Sequence, residues 1–446
     1  MDKGSKALTI SVVAVIIVAA IGVSAYSILN GGGDDNRIDT DETALVYGNA
    51  NMDYAIDQED IDTLQDIIDG RTTWDKASSP LADANCDGRI DSQDIDLVRK
   101  IINDEDCTVY YHNYFGEAQE MSYPQKDKKL AVTYWQQAEE VAILGLWDNV
   151  YVANDSLSTR GNLYDLSHVT FIGNSSGAAL DDASVETILE NDIELIIGSA
   201  YDTVSSYADP LKEYGVETIY LWHAGSYCIP TILTLGILLD EEEAAEKFLN
   251  YWVDIQKLLD ERLPAQEGRP SLVITMMHQD EDRYIGSYGG IFTSVNDPAG
   301  EWILISNLAN VYTADVTGNK TLGRNFYSTE WFIENPFDYM VIMGSGTGAT
   351  NQQEYDAWFE KTVDKYFANT QEYADGNILG VTYSFGGFSG YSLMGILAWM
   401  IYPDLFTYEE AVDLMQYYYD NFTDKTVDCE SLAMYYLGTG FDASYL

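Results

Sequence analysis

The sequence predicts an α/β protein of two lobes joined by one long helix, with a small all-α domain of paired loops and an N-terminal transmembrane helix in front. Three observations carry this expectation. Strand-like and helix-like segments alternate from about residue 128, and the alternation restarts after Pro264. Between the two stretches, apolar residues recur at helical spacing from Pro230 to Pro264. Ahead of both, a polar twelve-residue loop followed by a helix occurs twice, the copies starting at Asn49 and Asp83, 34 positions apart.

At the amino terminus, Lys3 and Lys6 precede Ala7–Leu29, an apolar run of about the length that crosses a bilayer. A flexible linker, Asn30-Gly-Gly-Gly-Asp-Asp-Asn36, follows. Lysines before the span and acids after it predict a cytoplasmic start and a body on the extracellular side of the cell surface. Residues 1–36 thus read as a membrane anchor with linker. A signal peptide cut after Val23-Ser24-Ala25 uses the same features and would secrete the body. No cysteine stands near the end of the run, so lipoprotein anchoring is unavailable.

The chain has 446 residues and a formal net charge of −50, from 73 acids against 23 bases. Such a surface repels phosphate backbones, which excludes nucleic acid as a partner. Hydrophobic content of 46% and aromatic content of 13% argue for folded domains. The four cysteines, Cys86, Cys107, Cys228 and Cys429, form no CxxC pair and no zinc spacing; Cys86–Cys107 and Cys228–Cys429 stay open as pairings.

The second loop reads Asp83-Ala-Asn-Cys-Asp-Gly-Arg-Ile-Asp-Ser-Gln-Asp94. Oxygen-bearing side chains fall at loop positions 1, 3, 5, 9 and 12, namely Asp83, Asn85, Asp87, Asp91 and Asp94, with Arg89 offering its carbonyl. Calcium takes such a ring of oxygens, and Gly88 permits the sharp turn. In the first copy the donors are Asn49, Asn51, Asp53, Asp57 and Asp60 with the Ala55 carbonyl. Tyr54 replaces the turn glycine and Asn49 carries no charge, so this site is expected to be weaker. Ile61, Leu64, Ile67 and Ile68 match Ile95, Val98, Ile101 and Ile102 in the helices that follow. Residues 42–110 therefore resemble a dockerin module, with one strong and one weaker Ca2+ site. In that family the module docks onto a cohesin-like protein; a calcium-stapled spacer is the plainer reading of the same residues.

Beyond it, Lys129–Thr133, Val150–Ala153, Ile193–Ile197 and Glu217–Trp222 read as strands, with helices at Gln136–Leu144 and Ser184–Glu190. This alternation predicts a mostly parallel sheet covered by helices, over residues 117–229. Residues 230–264 form the interlobe helix, spanning roughly 50 Å if unbroken; Asp240 is placed to cap its second part. In residues 265–446 the strands are Ser271–Thr275, Tyr339–Met343 and Ile378–Thr382. Two Rossmann-like lobes so joined leave a cleft between strand carboxyl ends, where ligands bind.

The order and spacing of several segments are similar to the class III substrate-binding proteins of ABC importers. These segments are Val132–Asp148, Ser184–Ile197, the central helix, Ser328–Ile342 and Leu397–Phe406, within about residues 128–420. The resemblance implies capture of a metal chelate such as cobalamin, a ferric siderophore or haem, and delivery to an ABC permease dimer. It also implies that Glu186 and Glu330, in the Ser-x-Glu segments of the two lobes, dock on that permease; helix capping is the plainer role for both.

Ligand contacts are expected from loops at strand ends: Tyr134, Trp135, Arg160, Asn174, Ser175, Tyr201 and Trp222 in the first lobe. In the second they are Met277, Tyr284, Tyr288, Phe292, Tyr383, Phe385 and Phe388. Aromatic rings grip a large flat ligand with little loss of rotamer entropy. His112, His168, His223 and His278 do not fit the clustered pattern of the related zinc and manganese receptors. No serine–histidine or cysteine–histidine pair with supporting context and no P-loop occurs, so an enzyme is not expected. The alternative is a calcium-dependent cell-surface adhesion or scaffold protein acting through the paired loops.

Overall fold

The computed structural model describes residues 42–173, 180–199, 204–278, 291–293, 302–313, 325–345, 349, 351–432 and 434–438, all in one unit of the chain. The expected transmembrane run, residues 7–29, lies outside them; among the described residues no helix is long and apolar enough to cross a membrane.

The two polar loops lead into α1 (Gln58–Ile68) and α2 (Ser92–Ile102). Asp57 pairs with Asp60, and Asp91 with Asp94, in reciprocal capping boxes that occupy the free N–H groups of each first turn. Ile61, Leu64, Ile95 and Val98 bury between the helices. The segment also packs into the main body. Ala44, Val46 and Ile101 lie in the large core cluster, the Leu45 N–H donates to Thr234 Oγ1 at 2.7 Å, and the Tyr123 hydroxyl donates to the Ile101 carbonyl at 3.1 Å. An antiparallel hairpin not announced by the sequence pattern, β1 (Cys107–His112) with β2 (Ala118–Tyr123), cements this contact through a bridge from Tyr111 to Val46.

The first lobe runs β3 (Leu130–Val132), α3 (Trp135–Ile143), β4 (Val150–Asn154), β5 (Thr170–Ile172), α4 (Asp182–Glu190), β6 (Leu195–Ser199), α5 (Val204–Lys212) and β7 (Glu217–Leu221). Its sheet has the order β5-β4-β3-β6-β7 with every pair parallel. The order reverses at β3, so α3 starts at the topological switch point, where open α/β sheets leave a crevice.

The interlobe connection differs from the expected single helix. It is two helices, α6 (Cys228–Leu239) and α7 (Glu242–Arg262). Asp240 ends α6 in the left-handed region at φ 60° and ψ 41° instead of capping α7, whose N-cap position holds Glu241 without a side-chain bond. Aspartate tolerates that conformation better than most residues with a Cβ. The corner is tight: the Glu241 N–H bonds the Gly236 carbonyl at 2.7 Å, and a Cβ on Gly236 would lie 2.6 Å from that of Ala245. All of α6 is buried, whereas α7 buries one face through Ala245, Phe248, Trp252, Ile255 and Leu259.

The second lobe contains β8 (Ser271–His278), β9 (Ile291–Thr293), α8 (Trp302–Ser306), β10 (Asn310–Tyr312), β11 (Asn325–Tyr327), α9 (Thr329–Glu334) and β12 (Tyr339–Ser345). It continues through α10 (Gln352–Tyr366), α11 (Gln371–Asp375), β13 (Ile378–Thr382), α12 (Ser389–Ser392), α13 (Met394–Ile401), α14 (Tyr408–Asn421) and β14 (Tyr435–Tyr436). The sheet order is β11-β9-β8-β12-β13-β14, with β10 also paired to β8. Strands β8, β10, β12 and β13 are parallel, and β9, β11 and β14 join antiparallel. All four cysteines are free thiols, so neither open pairing is made.

Candidate functional site: a cleft between the lobes

The site is built around α3. Val132 ends β3, Tyr134 takes an extended conformation at the N-cap, and the helix that follows is buried over its whole length. A helix carrying Gln136, Gln137, Glu139 and Glu140 in such a place must find partners for them, because an unpaired buried polar group costs about 1–3 kcal/mol. Gln136 Nε2 donates to the His223 carbonyl at 3.0 Å and to the Gly386 carbonyl at 3.4 Å. Glu139 Oε2 accepts the Phe388 N–H at 3.0 Å and the Ser389 N–H at 3.4 Å, across the lobe boundary. Its other oxygen lies 3.9 Å from Arg160 Nη1. Burial pushes the Glu139 carboxyl up to about 7, against the pull of Arg160 and the hydrogen bonds from Ser389 and Phe388.

Glu140 meets the imidazole of His223 through Nδ1, and His223 Nε2 faces the Gly198 carbonyl at 3.0 Å. A carbonyl only accepts, so Nε2 carries a hydrogen and the remaining proton is shared between Nδ1 and the carboxyl. Burial raises the Glu140 carboxyl, with His223 opposing. His223 is therefore a structural bridge. Gln137 is fully buried with both amide atoms unpaired among the described residues.

Of the expected ligand contacts, four converge. The Arg160 guanidinium lies 4.8 Å above the Trp135 ring; Tyr134 is 5.9 Å and Tyr383, from the other lobe, 6.4 Å from the same ring. Tyr134, Arg160 and Tyr383 are half-buried, while Trp135 is only 5% exposed and acts as the wall behind them. Trp222 joins a different group, stacked on Tyr227 and 4.1 Å from Tyr114. Phe385, Phe388 and Met277 prove to be core residues, at 0%, 0% and 2% exposure. Met277 lies within β8; the loop around Phe385 and Phe388 is glycine-rich, but its glycines serve close packing: a Cβ at Gly387 would sit 2.7 Å from both the Trp135 ring and Glu139 Oε2. Asn174, Ser175, Tyr201, Tyr284 and Tyr288, and the side chain of Phe292, lie outside the described residues.

Sequence reasoning missed Glu139, Glu140 and Gln136. The available signal was four polar residues within nine of a helix that follows the first strand, at positions where the lobe sheet must be covered.

Glu186 and Glu330 are both exposed, one on α4 and one on α9. The Ser-x-Glu segments differ locally. Ser328 is the N-cap of α9, whereas Ser184 lies inside α4, bonded to the true cap Asp181 at 2.8 Å through its N–H. Glu186 is therefore past the first turn, and capping does not account for it.

In the paired loops, Asp83 accepts the Asp87 and Gly88 N–H groups, Asn85 accepts Asp87, and Asp94 accepts Asn85 and Asp91. The first loop repeats the scheme with Asn49, Asn51, Asp53 and Asp60. Burial pushes Asp60 up to about 7, with Asp53 adding to the rise, and raises Asp94, with Asp83 and Asp91 adding, against the pull of the backbone amides. Among the described residues no group of three or more His, Cys, Asp or Glu side chains is gathered to hold a metal ion.

No protein-family model matches the sequence, and no curated protein matches it. Solved structures do match. The TroA-like periplasmic binding protein FepB of Veillonella parvula aligns over 71% of this chain and 97% of its own, with TM-score 0.53 and 15% identity. A periplasmic solute binding protein of the same organism aligns over 73% and 95%, with TM-score 0.52 and 16% identity. CeuE of Helicobacter pylori aligns over 73% and 98%, with the same TM-score and identity. The likeness to these structures is one of fold. Among the described residues the cleft lies where strand carboxyl ends of both lobes meet.

Proposed function

We infer that this chain is the extracellular ligand-capturing component of an ABC importer, without enzymatic activity of its own. It takes a metal chelate of the cobalamin, ferric siderophore or haem class and presents it to a permease dimer through Glu186 and Glu330. The observation that carries the reading is the convergence of Tyr134 and Arg160 of one lobe with Tyr383 of the other against the Trp135 wall. Such a cleft offers aromatic area for a large flat ligand and one cation for an acidic edge.

The paired loops are proposed as calcium sites, the second stronger than the first. Asp83, Asn85, Asp87, Asp91 and Asp94 with the Arg89 carbonyl would hold the ion in one; Asn49, Asn51, Asp53, Asp57 and Asp60 with the Ala55 carbonyl would hold it in the other. In support, Asp60, Asp83 and Asp94 are buried carboxylates bonded to backbone amides, a setting a hard dication would neutralise. Binding would brace α1 and α2, with a cohesin-like protein as the partner that this module's resemblance implies.

The deciding experiment is titration calorimetry of residues 38–446 with cobalamin, haemin and several ferric siderophores in calcium-containing buffer. Tight one-to-one binding of one of them supports the importer reading and selects the ligand class. Silence across the panel would overturn the chelate assignment and favour the surface-scaffold alternative.

A further inference from the structure

We propose that Glu139 is an interlobe latch, holding the Gly386–Ser389 loop of the second lobe on α3 and setting the shape of the cleft floor before any ligand arrives. The loop follows β13 and the helix follows β3, so each lies just beyond the carboxyl end of a parallel strand that has neighbours on both sides. One carboxylate oxygen receives two successive backbone N–H groups from the loop, and the side chain is 4% exposed. The same carboxylate faces Arg160, whose guanidinium lies over Trp135. Gln136, one turn earlier, donates to the Gly386 carbonyl. Gly387 completes the arrangement by leaving no side chain between the loop and the Trp135 ring.

A single acid thus does two jobs. It satisfies the amides that open α12, and it places the cation that lines the cleft. Removing the carboxylate leaves two buried N–H groups without an acceptor, which favours lifting of the loop. Glutamine keeps an oxygen in the same place and retains the amide bonds. Aspartate is one methylene too short to reach them from the same backbone.

The test is hydrogen exchange by mass spectrometry on the ligand-free chain, comparing the parent with E139Q, E139D and E139A. For peptides covering residues 384–393, E139A and E139D are expected to exchange at least tenfold faster than the parent, while E139Q stays close to it. Peptides from α1, α2 and β12 should not change. Unchanged exchange at 384–393 in all three variants would overturn the latch. So would an E139Q profile equal to that of E139A, because the acceptor would then not be what matters. Loss of protection throughout both truncations would show that Glu139 holds the whole fold, and would also overturn it. The consequence for ligand rests on the importer reading, but exchange needs no ligand, so a silent calorimetric panel and a failed latch are separate results.

Discussion

Glu139 is where one residue carries the most chemistry. Its carboxyl sits at about 7, above its ordinary value near 4.5, chiefly because it is buried. The folded chain therefore holds the proton more tightly than the unfolded one. Its contribution to stability is complete below about pH 4.5 and is lost as pH rises through about 7, amounting to about 3 kcal/mol at most. Glu140, raised in the same direction, adds to the trend. The other groups around Glu139 are Arg160, Cys228, Tyr164, Tyr418 and Tyr419, and burial raises the thiol and the phenols. Those stay neutral over this window. Melting temperatures from pH 5 to pH 8 should fall less steeply for E139Q than for the parent; parallel curves would refute the assignment. Little of this was legible in the sequence. Glu139 and Glu140 fall within the expected helix Gln136–Leu144, and nothing local says that the second lobe covers them. Trp135, Tyr134 and Arg160 were legible, since strand ends predict cleft positions. Phe385 and Phe388 were misread, because glycines around an aromatic signal a surface turn and close packing equally well.

The corner between α6 and α7 is the most consequential departure among the elements. Apolar periodicity runs on both sides of Asp240 without a proline or glycine at the break, so the sequence reads as one helix. The bend is made by a left-handed aspartate and by the small pair Gly236 and Ala245, a tertiary arrangement that periodicity does not report. Gly236→Ala should therefore cost about 1–3 kcal/mol by overpacking, and Ala245→Gly added to it should recover most of the loss. A denaturant series on both variants checks this; equal stability of parent and G236A would show that the corner is loose. The hairpin β1–β2 escaped notice for a related reason. Its second strand, Ala118-Gln-Glu-Met-Ser-Tyr123, is polar along one face and gains strand character only by pairing with Cys107–His112.

At the scale of the molecule, fifty net negative charges repel one another across the surface. Raising sodium chloride from 0.05 to 0.5 M shortens the Debye length, and the melting temperature should rise by several degrees; a fall would mean that ion pairs outweigh the repulsion. On the docking proposed above, the exposed Glu186 and Glu330, one per lobe, would meet a two-fold partner. Reversing both charges to lysine should abolish uptake in cells while leaving ligand affinity within twofold; lost affinity would refute the docking role. The two-lobe plan and strands β3, β4, β6, β7, β8, β12 and β13 were readable from alternation, because buried parallel strands are written as apolar runs; β5, β10 and the order within each sheet were not. The mixed edges of the second sheet were not, since β9, β11 and β14 are too short to leave a pattern.

The bond from Leu45 to Thr234 joins residues 189 positions apart. During synthesis Leu45 is made well before Thr234, which follows it by 189 residues. At 5–20 residues per second that is a wait of about 10–40 seconds. Through that interval Ala44 and Val46 have no finished core to enter, so this early segment waits with its apolar side chains uncovered and is open to misassembly.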